Sequence, residues 1–254
     1  MSKIKFIAST EEVFKDFDPP KTSSSFSPNW YKDMPSFFNY TQTEKKFTIG
    51  SNGNPNLTLK RCLPFRDSMY SGYMIPTPFD CYFTKNNNKI IINCSYQGDF
   101  KFVHEHDMGQ YFMYPIPEEY DVVLLKWNNP WTIKTSNGWS TLFTTPMHHD
   151  LPFHTISGLV DTDKHPVPIS FPFFIRKDFN GVISKGTPFV QCIPIKRESH
   201  VAYISSHIPS MIHKWRKATT QALDRYKDYF HTPKQYKIVN NETESKCPFS
   251  KFFK

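Results

Sequence analysis

GLVDTD at 158–163 and SKGTPFVQCIPI at 184–195 decide how this 254-residue chain is read. Each sets aliphatic or aromatic residues beside glycine and other turn formers, the pattern of a short strand met by a tight turn. In the first stretch Gly158 is expected to permit close approach of backbone, and Leu159 and Val160 to enter a core. Asp161 then projects where strand becomes turn, a place from which a carboxylate can take a proton from water.

Working outward, similar segments recur at short spacing. LTLKRCL (57–63), FDCYFT (79–84), KIIINCSY (89–96), DFKFVHEH (99–106), YDVVLLKW (120–127), WTIKT (131–135), STLFTT (140–145), ISGLV (156–160), PISFPFFI (168–175) and TPFVQCIPI (187–195) are β-branched or aromatic runs bounded by Gly, Pro, Asn or Asp. Such a series predicts a mainly β fold, a sandwich, jelly roll or related closed architecture, over residues 60–198. The first 59 residues read as an extended segment anchored by Trp30, Phe37 and Phe38. Residues 199–254 begin differently. Met211, Ile212, Trp215, Ala218, Ala222, Leu223, Tyr226 and Tyr229 recur at helical steps after Pro209, which predicts one C-terminal amphipathic helix followed by a polar tail.

Composition supports this division. Aromatics make up 17% of the chain, with 24 Phe and 13 Tyr, and 21 Pro punctuate it, which disfavours an all-helical protein. The net charge of +8 favours an anionic partner. Its lysines are scattered rather than clustered, so a solvated surface is expected and nucleic acid is not. Five cysteines without a CxxC pair suggest reduced thiols in the cytoplasm. The N-terminus lacks the apolar centre of a signal peptide and no window is long enough to span a bilayer, so no membrane association is expected.

Four segments, in order, carry a family resemblance: Ser71-Gly72-Tyr73, Ser136-Asn137-Gly138, GLVDTD at 158–163 and SKGTPFVQ at 184–191. Together they resemble the motif series of the deoxyuridine triphosphatases (dUTPases) and dCTP deaminases. That resemblance implies a closed, jelly-roll-like β subunit that assembles as a homotrimer and holds a nucleotide between chains. It would make Asp161 the water-activating base, and Gly72, Tyr73, Gly158, Asp163 and Gln191 ligand-side residues. The departures are chemical. Met74 stands in place of an acid, Met147-His148-His149-Asp150 in place of Arg-Ser-Gly, Lys164 in place of the base-stacking Tyr, and Pro166 in place of Gly. Loss of several charge-stabilising groups predicts binding of a nucleotide-like or small anionic ligand with hydrolysis largely lost. The block containing KWNNPWTIKTSNGWS (126–140) is also similar to an uncharacterised family of bacteriophages and bacteria, which implies a phage-type protein and no mechanism.

A second chemistry is legible. Gly98, His104, Glu105 and His106 match the opening of the cupin metal motif, where alternate strand residues present two imidazoles to one side. Gln110 takes the place of the next ligand, so a divalent metal at His104, His106 and Gln110 is the alternative reading, a cupin-like enzyme. His148-His149-Asp150 also fits the minimal HxD pair of iron oxygenases. Packing explains the same histidines without a ligand, as a structural or interaction protein would require. Trp127, Trp131, Trp139, Phe171, Phe173 and Phe174 read as core anchors.

Overall fold

The computed structural model of the chain describes residues 3–38, 56–86, 89–96, 98, 100–204, 212 and 231–239. The helix expected over 209–230 lies outside the described residues, apart from Ile212. What is described is mainly β, built from several antiparallel sheets with a few short helices.

The five-stranded sheet is the organising layer, in the order β13 (Gly158–Val160), β11 (Trp139–Thr144), β16 (Pro188–Lys196), β5 (Tyr73–Pro76) and β2 (Lys21–Thr22). Both stretches that open the sequence reading are therefore strands of one sheet, on either side of β11. A four-stranded sheet contains β12 (Phe153–Thr155), β14 (Phe171–Ile175), β9 (Leu125–Trp127) and β8 (Val103–Glu105). A three-stranded one joins β15 (Gly181–Ile183), β6 (Cys81–Asn86) and β7 (Lys89–Cys94). Two pairs complete the set: β1 (Ile4–Ala8) with β10 (Trp131–Thr135), and β3 (Phe37–Phe38) with β4 (Asn56–Leu57).

The core among these sheets is aromatic. Trp127 is wholly buried and stacks on Phe173 with ring centroids 3.8 Å apart. Phe102, Phe153 and Phe189 pack edge-on or tilted around the pair. Rings favour such offset and edge contacts because their faces are negative and their edges positive. Trp131, Phe171 and Phe174 are also buried, whereas Trp139 is half-buried.

Three expectations change. The sheets are open, and no closed barrel forms among the described residues. Many strands are short, and Pro172, Pro188 and Pro194 sit within β14 and β16, where each lacks the N–H a continuous ladder requires. LTLKRCL gives only the end of β4 and a short turn, and then helix α3 (Leu63–Tyr70) begins. The Thr58 side chain accepts from the Lys60 N–H at 3.2 Å and starts the turn, while Pro64 occupies the first turn of the helix, where its missing N–H costs nothing. The N-terminal segment is also more than an extended anchor. It supplies β1 and β2 to two sheets, and between them helix α1 (Glu11–Asp16), capped by Thr10, sends Val13 into the core. Helix α2 (Asn29–Asp33) follows, with Trp30 39% exposed and Phe37 47% exposed, so neither ring is deeply anchored.

Candidate functional site

Helix α3 (Leu63–Tyr70) places Arg66, Asp67 and Tyr70 on adjoining positions of one face, since residues three and four apart are neighbours on a helix. The segment 231–239 passes over that face and contributes His231, Pro233, Lys234 and Tyr236. Between them lies a cavity of about 240 Å³. Asp67 organises it. Its carboxylate accepts from Lys234 Nζ at 2.8 Å and from His231 Nε2 at 2.9 Å, with Arg66 at 3.8 Å. Burial pushes the Asp67 carboxyl upward, but the hydrogen bonds and charges of Lys234 and His231 together hold its pKa below the ordinary value. The lining therefore sets Arg66, Lys234 and a histidine against one carboxylate, beside two phenol rings.

Two residues from the motif series support this cavity without lining it. Gln191 is wholly buried, and its amide nitrogen donates to the carbonyls of Ser71 at 2.7 Å and Ser68 at 3.0 Å. Those are the carbonyls that the end of a helix leaves without partners. Its amide oxygen accepts from Met147 N–H at 2.9 Å, which ties the 146–148 loop to the same helix end. Tyr73, also buried, meets the Tyr236 ring edge-on at 5.8 Å and donates to the Lys237 carbonyl at 3.2 Å. Burial is the main cause of the raised Tyr73 pKa. Tyr73 and Tyr236 both line a second, smaller cavity of about 90 Å³, together with Thr135, Trp139 and Gln235. Gly72 has φ +72°, and a Cβ there would lie 2.0 Å from the Cys192 carbonyl oxygen, so the turn into β5 requires glycine.

The other motif segments meet elsewhere. Arg197, just past β16, makes a paired contact with Asp163 through both terminal nitrogens and reaches Asp161 at 3.1 Å. It also donates to the Trp139 carbonyl and the Ser140 hydroxyl, each at 3.1 Å. Ser140 in turn donates to Asp161 at 2.7 Å, and the Gly138 N–H donates to Asp163 at 2.9 Å from a turn with φ +81°. The Arg197 hydrogen bond, aided by that of Gly138, drives the Asp163 pKa far below the usual carboxylate range against the opposing effect of burial, and Asp163 raises that of Arg197. Between the two acids, Thr162 turns inward and shares hydroxyl contacts of 2.8 Å with Thr135 and with Thr141. The GLVDTD stretch is thus a clasp that joins β13, β11 and the end of β16.

The structure does not bring Asp161 and Gln191 together. Ser140, which holds Asp161, lies opposite Ile195 in the β11–β16 ladder, whereas Gln191 lies opposite Thr144. Four residues of strand separate those rungs by roughly 14 Å. Gly158 is exposed with nothing within 4 Å of a Cβ built on it, and Leu159 is 62% exposed. The close approach expected of Gly158 and the burial expected of Leu159 are absent, whereas Val160, on the opposite side of the strand, packs against the core as expected.

His104 lies on β8 and its Nε2 meets the Lys101 carbonyl at 2.9 Å; burial is the first cause of its lowered pKa. His106 follows the strand with a buried Nδ1 that has no hydrogen-bond partner, and Gln110 is exposed on a short helical turn. No group of three or more His, Cys, Asp or Glu among the described residues is arranged to hold a metal ion. His148 packs at a tilt on Phe65 with ring centroids 3.9 Å apart and meets the Ser68 hydroxyl at 3.0 Å, while His149 Nε2 meets the Phe26 carbonyl at 2.8 Å. Those partners account for both imidazoles as packing and loop-holding groups.

Sequence reasoning missed Arg66, Asp67, His231, Lys234 and Arg197. Arg66 and Asp67 precede the first motif by only a few residues, but 164 positions separate His231 from Asp67, and no local pattern links them. No described helix is long and apolar enough to cross a membrane. No protein-family model, curated protein or solved structure matches the chain.

Proposed function

We propose that this protein binds a small anionic ligand, a phosphate or carboxylate carried on a compact or planar group, in the cavity between α3 and residues 231–239. One observation carries the reading: Arg66, Lys234 and His231 converge with a single carboxylate, Asp67, on a cavity of about 240 Å³ that Tyr70 and Tyr236 flank. Arg66 and Lys234, oriented toward the Asp67 carboxylate, place two positive charges beside this cavity, where an anion can accept charge-assisted hydrogen bonds. The adjoining rings offer faces for a planar group. The volume lies below the roughly 300 Å³ at which pockets for larger ligands begin, which favours a phosphate or nucleobase-sized group over a whole nucleoside triphosphate.

Kinship with the dUTPase and dCTP deaminase group, and with it a homotrimer, is a further proposal whose support is the order of the four motif segments. Hydrolysis by Asp161 has less support, because Ser140 and Arg197 occupy that carboxylate on the side facing β11 and β16.

Thermal denaturation of the full chain with inorganic phosphate, deoxyuridine monophosphate and deoxyuridine triphosphate tests the binding reading. A saturable rise in Tm that shrinks with added sodium chloride is expected, since a ligand bound only to the folded state stabilises it by mass action. Absence of a rise with every anion at millimolar concentration would overturn it.

A further inference from the structure

Cys81 and Cys94 face each other across β6 and β7, with Sγ atoms 3.4 Å apart. The next rung out is the hydrogen-bonded one, because Ser95 N–H donates to the Asp80 carbonyl at 2.9 Å. Hydrogen-bonded and non-bonded rungs alternate in an antiparallel ladder, so Cys81 and Cys94 occupy a non-bonded rung, where Cα atoms lie about 4.5 Å apart. That separation falls within the range a disulfide spans. Bonding therefore requires the two sulfurs to close a short gap, and no strand has to move to a new register.

The two thiols differ in access and partners. Cys81 is wholly buried against the aromatic core, and its Sγ lies 3.8 Å from the Phe79 carbonyl. Cys94 is half-buried on β7, the edge strand of its sheet. The hydrogen bond between them lowers the pKa of Cys94 and, with burial, raises that of Cys81. Cys94 is thus the accessible sulfur and the better thiolate.

We propose that Cys81 and Cys94 are a reversible dithiol site, oxidised to a cross-strand disulfide by exchange with small-molecule disulfides. The Cys94 thiolate attacks one sulfur of the small disulfide, forming a mixed disulfide and expelling one thiolate. Cys81 then loses its proton, and its sulfur attacks Cys94 Sγ and expels the second thiolate. Two protein thiols lose two electrons, the small disulfide gains them, and the two thiol protons end on the two released thiols. The strand pairing keeps Cys81 beside Cys94 throughout, which favours closure over a lasting mixed disulfide.

The test equilibrates the full chain in buffers of reduced and oxidised glutathione, traps free thiols by alkylation and maps the peptides by mass spectrometry. Expected is a linked pair of peptides containing Cys81 and Cys94, a thiol titre that falls from the sequence total of 5 by one pair, and full reversal by dithiothreitol. Cys94→Ser should abolish the linked product. The wild-type peptide map decides the matter even where that variant folds poorly. Three outcomes would overturn the proposal. Cys81 and Cys94 could be recovered separately alkylated at every glutathione ratio, or Cys94 could stop as a glutathione adduct. Protection from alkylation without linkage, reversed by a chelator, would instead identify a thiolate pair holding a soft metal.

Discussion

The side-chain amide of Gln191 donates to the Ser71 carbonyl at 2.7 Å, so the residue that the motif series offers to a ligand is committed to the end of helix α3. Strand β16 thereby sets the helix that carries Arg66, Asp67 and Tyr70, and Gln191 acts on the candidate site by positioning it.

Gln191→Leu should therefore destabilise the fold. The change keeps side-chain volume but leaves the Ser68 carbonyl and the Met147 N–H without their Gln191 partner, while the Ser71 carbonyl keeps only the Ser23 hydroxyl. Each buried unsatisfied group costs about 1–3 kcal/mol, so a total near 3 kcal/mol is expected. Urea denaturation measures it as a lower midpoint at constant slope. An unchanged midpoint would return Gln191 to a ligand-facing role.

Gly72→Ala should be worse tolerated than its size suggests. The added methyl would sit 2.0 Å from the Cys192 carbonyl oxygen at a backbone φ of +72°, so both contact and conformation oppose it. A loss of at least about 3 kcal/mol is expected, because strain and overpacking each contribute on the order of 1–3 kcal/mol. Denaturation of the purified variant, or its loss from the soluble fraction, checks this. Gly158→Ala is the control. Its Cβ meets nothing within 4 Å, and stability should stay within about 0.5 kcal/mol of the original.

Asp163 should steepen acid unfolding. Its folded-state pKa is lowered by Arg197, so its contribution is present above the unfolded value of about 3.9 and is lost as pH falls below that toward the folded value. Asp163→Asn should be less stable at neutral pH, and its stability should fall less steeply below about pH 4. Urea midpoints of both proteins across that acid range provide the comparison. Parallel curves would show that the Arg197 contact adds nothing to stability.

Lys234→Ala and Arg66→Ala should each weaken phosphate binding, by about tenfold in Kd where a charge-assisted hydrogen bond is lost. Asp161→Asn should leave that binding unchanged, since Asp161 belongs to the Arg197 clasp. Titration calorimetry or ligand-dependent Tm on the three variants separates these outcomes. Equal loss in Asp161→Asn would move the anion site to the motif cluster.

The sequence by itself determined the β character of the chain. Short aromatic and β-branched runs between Gly, Pro, Asn and Asp are strand signals, which LTLKRCL alone largely failed to obey, and Trp127, Phe171 and Phe173 lie in the core as their surroundings implied. It also marked Gly72, Asp163 and Gln191 as special positions, through the resemblance of their segments to the dUTPase motif series. Their roles belonged to the tertiary structure. Gln191 and Asp163 have partners 120 and 34 positions away, and a buried polar side chain takes its role from whichever unpaired group the fold brings to it. The same holds for the cavity. Arg66 and Asp67 are ordinary helix residues until the chain returns, 164 positions later, to set His231 against Asp67. Whether a charged side chain is a solvated surface group or part of a site depends on which other charges share its low-dielectric surroundings, and only the folded chain decides that.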